Sequence, residues 1–429
     1  MLAEYSRRLR LAIRRRQSRF WGSAALLVGS SVLAQLMTVA SMPLVTRLFS
    51  AEQIGAISVF IAFLAMPSVC ATMRYEGALL LARDDAESTR IKALATWSVA
   101  GVAILSGALL AGFRASGVFG LAVLPWWSAL AAVPVVHGLG MSAVFRAARI
   151  RRADFTILAA TAAIRNSSNI AVRLVGGAFG AGTAALLAAE VVAAWASMRR
   201  LAGAGVRATY REVRGVPLGE LRETARRWIR FPAYETPSML LDQLAAGAPL
   251  LIIADRLGPG PAGLFAIAYR VATLPNVHLG AAVGDVFRSS FAGHVRADDV
   301  ASARRLYGRL LVRAMGFSAL YLVPTVLLAP RLFGFVFGAA WKDAGGLVPW
   351  IAAWAATMLI VSPLSPLLQI LQRQNLKWIY DVSALLAMVL AAVFVAGGNL
   401  GEYTRALAMA GIASNAVYLV ILTVAVRDM

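Results

Sequence analysis

The stretch RLFSAEQIG, residues 47–55, opens an apolar run that reaches Pro67, and a weaker copy of it occurs in the second half of the chain. The copy is RLGPGPAG, residues 256–263, and the apolar run after it reaches Pro275. In both cases the proline follows the last glycine of the stretch by twelve residues. Because each copy lies between two long hydrophobic segments, the pair predicts a duplicated membrane unit.

The composition indicates a membrane protein. Of the 429 residues, 59% are hydrophobic and 15% are charged, and the mean hydropathy is +0.71. A soluble protein carries about 25% charged residues. The apolar runs are continuous and rich in Ala and Leu, so they predict helices that cross about 30 Å of hydrocarbon, not the alternating strands of a membrane β-barrel.

Charge and cysteine content exclude several other classes. The net charge of +21 does not indicate nucleic-acid binding, because most arginines fall in short loops between apolar runs. The single cysteine, Cys70, has no partner for an intrachain disulfide, and the three histidines are scattered along the chain. We therefore expect no metal site and no bound cofactor beyond a transported H⁺ or Na⁺.

Hydropathy predicts an all-α protein with about twelve transmembrane helices, six in each half of the chain. The predicted spans are Phe20–Met42, Ile54–Leu81, Ala93–Phe113, Val118–Phe145, Phe155–Ala178, Thr183–Met198, Ala233–Ala254, Gly263–Asp285, Leu306–Leu328, Leu347–Leu368, Trp378–Ala396 and Leu407–Val426. The basic segment before the first span resembles a signal peptide, but that span is too long for a signal core, so we expect a retained helix.

The loops between the spans differ in charge. Of the 42 Lys and Arg residues, 32 fall on one side of the predicted membrane, six on the other and four within apolar runs. This bias predicts that the basic side, with both termini, is cytoplasmic. An even number of spans in each half gives the halves the same orientation, related by a pseudo-two-fold axis along the membrane normal.

The chain thus divides into four predicted segments: a basic cytoplasmic N-terminal segment, a six-helix bundle, a basic cytoplasmic linker and a second six-helix bundle. Their bounds are 1–19, 20–198, 199–232 and 233–429. Within the linker, Leu218–Ile229 has the pattern of an amphipathic basic helix, which we expect to lie on the anionic inner leaflet.

Charged residues inside the fifth span are the most informative for function. Arg165, Ser168, Asn169 and Arg173 form a polar stripe at helical spacing, interrupted only by Val172. A charge at this depth costs about 2.5–3.5 kcal/mol unless it faces water or a partner. We expect Arg165 to face a water-filled cavity; interhelical hydrogen bonds, or snorkelling of Arg173, are the alternatives.

Two further arginines lie inside spans. Arg270 has no acid in its own helix before Asp285, which favours a cavity-facing role, whereas Arg74 has Glu76 nearby for pairing. A guanidinium keeps its charge when dehydrated and presents a planar fork of donors to phosphate oxygens. Several arginines on one cavity would select an anionic, phosphate-bearing substrate.

The seventh span carries Glu235 and Asp242, together with the kink-forming Pro237. A carboxylate near mid-membrane can bind H⁺ or Na⁺ in one conformation and release it in another, so we expect these residues to couple transport to an ion. A fixed salt bridge from Asp242 to an intramembrane arginine is the alternative. The first span, the counterpart of the seventh in the other half, carries an uncharged polar stripe that contains Gln35.

Three stretches resemble the polysaccharide or oligosaccharide flippases, the O-antigen flippase type, of the multidrug/oligosaccharidyl-lipid/polysaccharide exporter superfamily. Residues 46–55 resemble the arm after the first helix of that family, residues 257–269 its Gly/aromatic element, and residues 329–341 the segment before its tenth helix. One departure is GPGP at 258–261, which replaces an acidic position of the arm in its second copy.

The resemblance implies two six-helix bundles around a V-shaped cavity that opens to either side by alternating access. It implies transport of a polyprenyl-diphosphate-linked oligosaccharide from the inner to the outer leaflet of the bacterial inner membrane, for O-antigen, capsule or exopolysaccharide synthesis. Helices one, two, seven and eight would line the cavity, which favours Gln35, Arg74, Asp242 and Arg270 as site residues. We expect membrane lipids, a polysaccharide polymerase and a chain-length regulator as partners.

Three other functions compete with a flippase. A cation-coupled drug or metabolite antiporter of the same superfamily would need an acidic cavity, against which the intramembrane arginines argue. A membrane polymerase or glycosyltransferase would carry a large outer loop with catalytic arginines, and no outer loop here is long enough. An unspecialised permease is the third. No catalytic motif or Walker-type phosphate loop occurs, so we expect no enzyme.

Overall fold

The apolar runs fold as helices in the computed structural model of the chain. It describes residue 29 and residues 33–152, 154–276, 281–395 and 397–429, which are nearly all helical and contain no strand. Helices satisfy backbone hydrogen bonds within one segment, which is the requirement that hydrocarbon imposes on a crossing chain. The predicted all-α fold class is confirmed.

Seventeen helices lie within these described residues. They are α1 (Leu33–Leu48), α2 (Ala51–Cys70), α3 (Tyr75–Leu79), α4 (Asp85–Ser116), α5 (Ser128–Arg151), α6 (Phe155–Ala178), α7 (Gly182–Ala202), α8 (Val206–Arg214), α9 (Leu218–Arg227), α10 (Thr236–Leu257), α11 (Pro259–Pro275), α12 (Ala281–Arg296), α13 (Val300–Phe337), α14 (Lys342–Val361), α15 (Leu367–Ile370), α16 (Gln374–Phe394) and α17 (Leu400–Arg427).

Each of the twelve predicted spans overlaps one or two of these helices. Eight helical segments in the described part of the chain are long and apolar enough to cross a membrane by length and composition. The predicted start of the first span, at Phe20, lies outside the described residues, and α1 covers the end of that span. Several helices are longer than predicted because polar residues extend them beyond the apolar run, as at the start of α13.

Two predicted spans are interrupted. The second is divided after Cys70, where Met73 and Arg74 adopt left-handed backbone conformations with φ of 50° and 61°. A left-handed residue cannot continue a right-handed helix, so α3 begins as a separate segment. The tenth is divided into α14, which ends at Val361, and α15, which begins at Leu367.

The chain forms two compact units. The first unit comprises the described residues of Met1–Val45, Met66–Gly112 and Trp126–Leu240. The second unit comprises Thr46–Ala65, Phe113–Pro125 and Leu241–Met429. The bounds of the four segments inferred from the sequence stay a prediction.

In the first unit, α7 packs against both α5 and α6. Small residues permit the close approach: a Cβ on Gly176 of α6 would overlap Ala185 of α7, and a Cβ on Gly138 of α5 would lie 3.0 Å from the Cβ of Ala194. Close backbone contact between small residues is the usual way in which helices associate in lipid, where apolar burial alone drives little association.

In the second unit, the two copies of the duplicated stretch contact each other. A Cβ on Gly55 would overlap the carbonyl oxygen of Pro259, and a Cβ on Gly263 would overlap that of Ala51. Only glycine permits α2 and α11 to cross at this distance. Nearby, the Trp341 indole donates to the backbone oxygen of Thr46 at 2.8 Å. The sequence repeat therefore marks a helix contact.

The linker helices pack against α4 within the first unit. Val213 of α8 and Leu221 of α9 are buried in one cluster with Ala93 near the start of α4. Leu221 of α9 thus packs on the protein, whereas Leu218 at the start of the same helix is exposed. The contact of this helix with the lipid leaflet stays a prediction.

Candidate functional site

Helix α6 presents polar side chains to two neighbouring helices at different levels. At its middle, Asn166 donates to the backbone oxygen of Ala34 at 2.9 Å and to the hydroxyl of Thr38 at 3.1 Å, both on α1. The sequence analysis did not single out Asn166, because its partners are 128 and 132 residues away. The contact places α6 beside the polar stripe of α1, where Gln35 is half-buried.

The C-terminal part of the α6 stripe forms what we call the arginine cluster, which consists of Asn169, Arg173 and Glu190. Arg173 donates to the Glu190 carboxylate at 2.8 Å, and the Asn169 amide donates to the same oxygen at 2.9 Å. The side chains of Arg173 and Glu190 are only 11% and 14% exposed. The sequence analysis gave no role to Glu190; the structure identifies it as the carboxylate that balances Arg173.

Arg165 differs from Arg173 although it lies on the same helix. It is exposed, and it makes no hydrogen bond or ion pair within the part of the chain that the structure describes. It is the eleventh of the 24 residues of α6, so it lies near the middle of the helix.

Arg74 and Glu235, predicted for two different roles, contact each other. Arg74 donates to Glu235 at 3.3 Å and to Glu76 at 2.8 Å. Its left-handed backbone ends the turn after α2, and Glu235 lies in a π-helical turn, residues 231–235, just before α10. The pairing of Arg74 with Glu76, which the sequence offered as an alternative, is present.

In the second unit, Asp242 belongs to what we call the lysine cluster, which consists of Asp242, Lys377 and Asp381. The Lys377 ammonium donates to Asp381 at 2.6 Å, one helical turn away on α16, and to Asp242 of α10 at 3.2 Å. Asp242 is 43% exposed, whereas Asp381 is 16% exposed. The sequence analysis placed Lys377 in a loop and gave Asp381 no role.

A hydrogen-bonded network fixes α16 beside the lysine cluster. The rings of Tyr380 and Tyr418 stack at 4.1 Å between centroids. The Tyr380 hydroxyl donates to Asn415 at 2.9 Å, and the Asn415 amide donates to Thr357 at 2.8 Å. These contacts join α14, α16 and α17, so the helix that carries Lys377 is held in position.

The remaining predicted site residue, Arg270, is exposed on α11 in the second unit. Arg74, Arg165 and Arg173 lie in the first unit. The roles assigned to these residues from the sequence stay predictions. Within the described residues, no group of three or more His, Cys, Asp or Glu side chains is placed to hold a metal ion.

A family model described as polysaccharide biosynthesis protein matches residues 44–346 of the chain. No curated protein matches the sequence. Among solved structures, the chain is similar to an inward-facing multidrug resistance transporter of the MATE family within the MOP superfamily. The TM-score is 0.73 at 14% identity, over 92% of this chain and 95% of that one.

Two further structures have the same fold. The lipid II flippase MurJ in an inward closed conformation matches with a TM-score of 0.70 and 13% identity, over 91% of this chain and 87% of that one. A MOP superfamily transporter from Pyrococcus furiosus, described as having a binding pocket of reverse polarity, matches with a TM-score of 0.56 and 16% identity, over 94% of each chain. The twelve-helix, two-lobe fold predicted from the sequence is confirmed.

Proposed function

We propose a flippase function for this chain, which belongs to the family of polysaccharide biosynthesis proteins. The family and the fold make it a multi-pass membrane protein of the flippase or transporter class. The proposed cargo is a polyprenyl-diphosphate-linked oligosaccharide, moved from the inner to the outer leaflet of the cytoplasmic membrane for surface polysaccharide synthesis. In this proposal both termini are cytoplasmic, as the loop charges predict.

One observation carries the choice of an anionic cargo: Arg165 is exposed and unpartnered within the described residues, although it lies in the middle of an apolar helix. A permanent cation at that position is expensive in hydrocarbon and is retained where it faces water or binds an anion. A guanidinium binds two phosphate oxygens at once, which suits a diphosphate. We assign the diphosphate to Arg165. Arg270, in the other unit, stays a separate cationic candidate.

The other predicted cationic residues take supporting roles in this proposal. Arg173 is neutralised by Glu190, so it orients Asn169 and stiffens the helix pair more than it attracts an anion. Arg74 is shared between Glu76 and Glu235, and a phosphate would have to displace one of these carboxylates. Gln35, half-buried on the neighbouring α1, supplies an uncharged hydrogen-bonding group for the glycan or the diphosphate.

Coupling to H⁺ or Na⁺ is assigned to Asp242, with Glu235 as a second candidate. Asp242 shares Lys377 with Asp381, and the lysine lies closer to Asp381. A proton or Na⁺ that binds Asp242 would therefore leave Lys377 paired with Asp381 and would not strand a charge. A carboxylate with a replaceable partner can bind an ion in one conformation and release it in another.

The competing function is a cation-coupled drug or metabolite antiporter, and the half-exposed Asp242 carboxylate is the observation that favours it. The two functions make opposite demands on Arg165. A cationic drug is repelled by this guanidinium, whereas a diphosphate requires it. Removing the charge therefore separates the two functions.

The experiment compares leaflet transfer in proteoliposomes for a fluorescent polyprenyl-diphosphate oligosaccharide with Arg165→Gln, Arg165→Lys and wild type. Hydrogen bonds to charged groups contribute about 1.5–3 kcal/mol, so Arg165→Gln should slow transfer about 10- to 100-fold. The lysine variant should retain part of the rate as a point charge. Arg405→Gln, which removes an exposed arginine elsewhere, is the matched control. A wild-type rate in Arg165→Gln, or faster export of a cationic dye, would exclude the proposal.

A further inference from the structure

The linker helices α8 and α9 carry acids and arginines that differ in their partners. Two of their acids face α4, where Glu212 pairs with Lys92 at 3.5 Å and Glu220 pairs with Arg90 at 3.3 Å. Of their arginines, Arg227 also contacts α4, where it pairs with Glu87 at 3.0 Å. Those that are exposed and form no ion pair within the described residues are Arg207, Arg211, Arg214, Arg222, Arg226 and Arg230.

Along each helix these arginines recur at helical spacing. On α8 the spacing of Arg207, Arg211 and Arg214 is i, i+4 and i+7, and Arg222 and Arg226 on α9 are four residues apart. Residues at these spacings are neighbours on one helix face, and like charges there destabilise an isolated helix. The arrangement therefore concentrates positive charge that bound anions would neutralise.

The position of the helices on the first unit indicates where those anions lie. Val213 and Leu221 pack against Ala93, which is the first residue of the apolar run of α4. That point is where α4 passes from the polar interface into the hydrocarbon. The exposed arginines of α8 and α9 are therefore held at the level of the lipid headgroups, on the side that the loop charges assign to the cytoplasm.

Exposed apolar side chains accompany these arginines. Leu218, at the start of α9, is 84% exposed, and Ile229, just after its end, is 55% exposed. Apolar residues at both ends of a short basic helix are typical of segments that lie in a membrane interface. Tyr210 fixes α8 against α5, since its hydroxyl lies 3.0 Å from the imidazole of His137.

We propose that the exposed arginines of α8 and α9 bind anionic phospholipid headgroups of the cytoplasmic leaflet. Charge complementarity, the depth of the helices and the flanking apolar residues select this occupant over an acidic protein. The bound lipids would fix the first unit in the leaflet while the rest of the chain changes conformation. The inference depends on the predicted orientation and not on the identity of the cargo.

The test measures lipid binding to the full chain in a neutral maltoside detergent, with lipid adducts counted by native mass spectrometry. Dioleoylphosphatidylglycerol and dioleoylphosphatidylcholine are titrated separately into wild type, R211Q/R214Q/R222Q/R226Q and the corresponding lysine variant. We expect wild type to prefer the anionic lipid, the glutamine variant to lose about tenfold or more in affinity for it, and the lysine variant to keep most of it.

The matched control is R288Q/R296Q/R309Q/R313Q, which removes the same number of exposed arginines from the second unit, on the same predicted side. It should bind phosphatidylglycerol as wild type does. An equal loss in both quadruple variants, or no preference of wild type for the anionic lipid, overturns the proposal, and the latter would point to an acidic protein as the occupant.

If the glutamine variant does not fold, the lysine variant and the salt dependence of wild-type binding decide. Phosphatidylglycerol affinity must fall as NaCl is raised, because the contact is electrostatic and accessible to solvent. Salt-independent binding overturns the proposal. Since no cargo is present, none of these outcomes bears on the flippase proposal, which the Arg165 variants test separately.

Discussion

The arginine cluster of the first unit and the lysine cluster of the second unit are both held by ion pairs, but they differ in the number of carboxylates and in the exposure of the side chains. The arginine cluster balances one cation with one carboxylate, and both side chains are less than 15% exposed. The lysine cluster places one cation between two carboxylates, of which Asp242 is 43% exposed. Among the described residues, the first arrangement offers Arg173 one carboxylate, whereas the second can exchange one of its two carboxylates for solvent or an ion. A buried ion pair is therefore no sign of function by itself.

The largest expected effect is that of Glu190→Ala in the arginine cluster. It leaves the Arg173 guanidinium buried without its carboxylate, and removing one partner of a buried pair costs about 3–5 kcal/mol. Thermal and denaturant unfolding in detergent should show this loss of stability. The double variant R173M/E190L should recover most of it, since an apolar pair needs no charge balance.

Glu212→Ala is the control for that experiment, because it removes an exposed acid that is paired with Lys92 at the surface. Such a pair contributes about 0–1 kcal/mol. Equal destabilisation by the two alanine variants would mean that the arginine cluster is not a closed structural pair, and the contrast between the two clusters would be lost.

An intermediate effect is expected for Lys377→Met in the lysine cluster. The substitution leaves Asp242 and Asp381 without their shared cation, but Asp242 can turn its charge to solvent. We therefore expect a loss of about 1–3 kcal/mol, smaller than for Glu190→Ala because one carboxylate is not fully buried. Unfolding under the same conditions measures it. A loss as large as that of Glu190→Ala would mean that the lysine cluster is equally closed.

Properties that depend on local sequence could be predicted, and partners across helices could not. The twelve spans follow from runs of apolar residues, and the stripe of Arg165, Asn169 and Arg173 follows from helical spacing. Glu190 lies 17 residues from Arg173 on another helix, and nothing in the local pattern joins them. The charge of Arg165 was visible in the sequence, but its lack of a described partner required the packing of α6.

The lysine cluster shows a second limit of prediction from local sequence. Lys377 is polar and lies in the first turn of α16, so hydropathy assigned it to the loop before the span. Only the position of α10 beside that turn brings Asp242 within 3.2 Å of it. The linker shows the reverse case: amphipathicity predicted the helix α9, but the packing of Leu221 against α4 depends on tertiary structure.

The smallest expected effect on stability, with the sharpest one on function, is that of Asp242→Asn. Lys377 keeps its contact with Asp381 at 2.6 Å, and the substituted side chain is partly exposed, so stability should change by less than about 1 kcal/mol. If Asp242 binds the coupling ion, transport by this variant loses its dependence on a pH or Na⁺ gradient. Cargo transfer in proteoliposomes with and without each gradient measures this dependence.

Asp381→Asn, the matched variant on the better buried carboxylate, should cost more stability than Asp242→Asn, because it removes the shorter contact to Lys377. Gradient dependence that persists unchanged in Asp242→Asn would remove Asp242 from the coupling mechanism, and the lysine cluster would then be a structural pair like the arginine cluster.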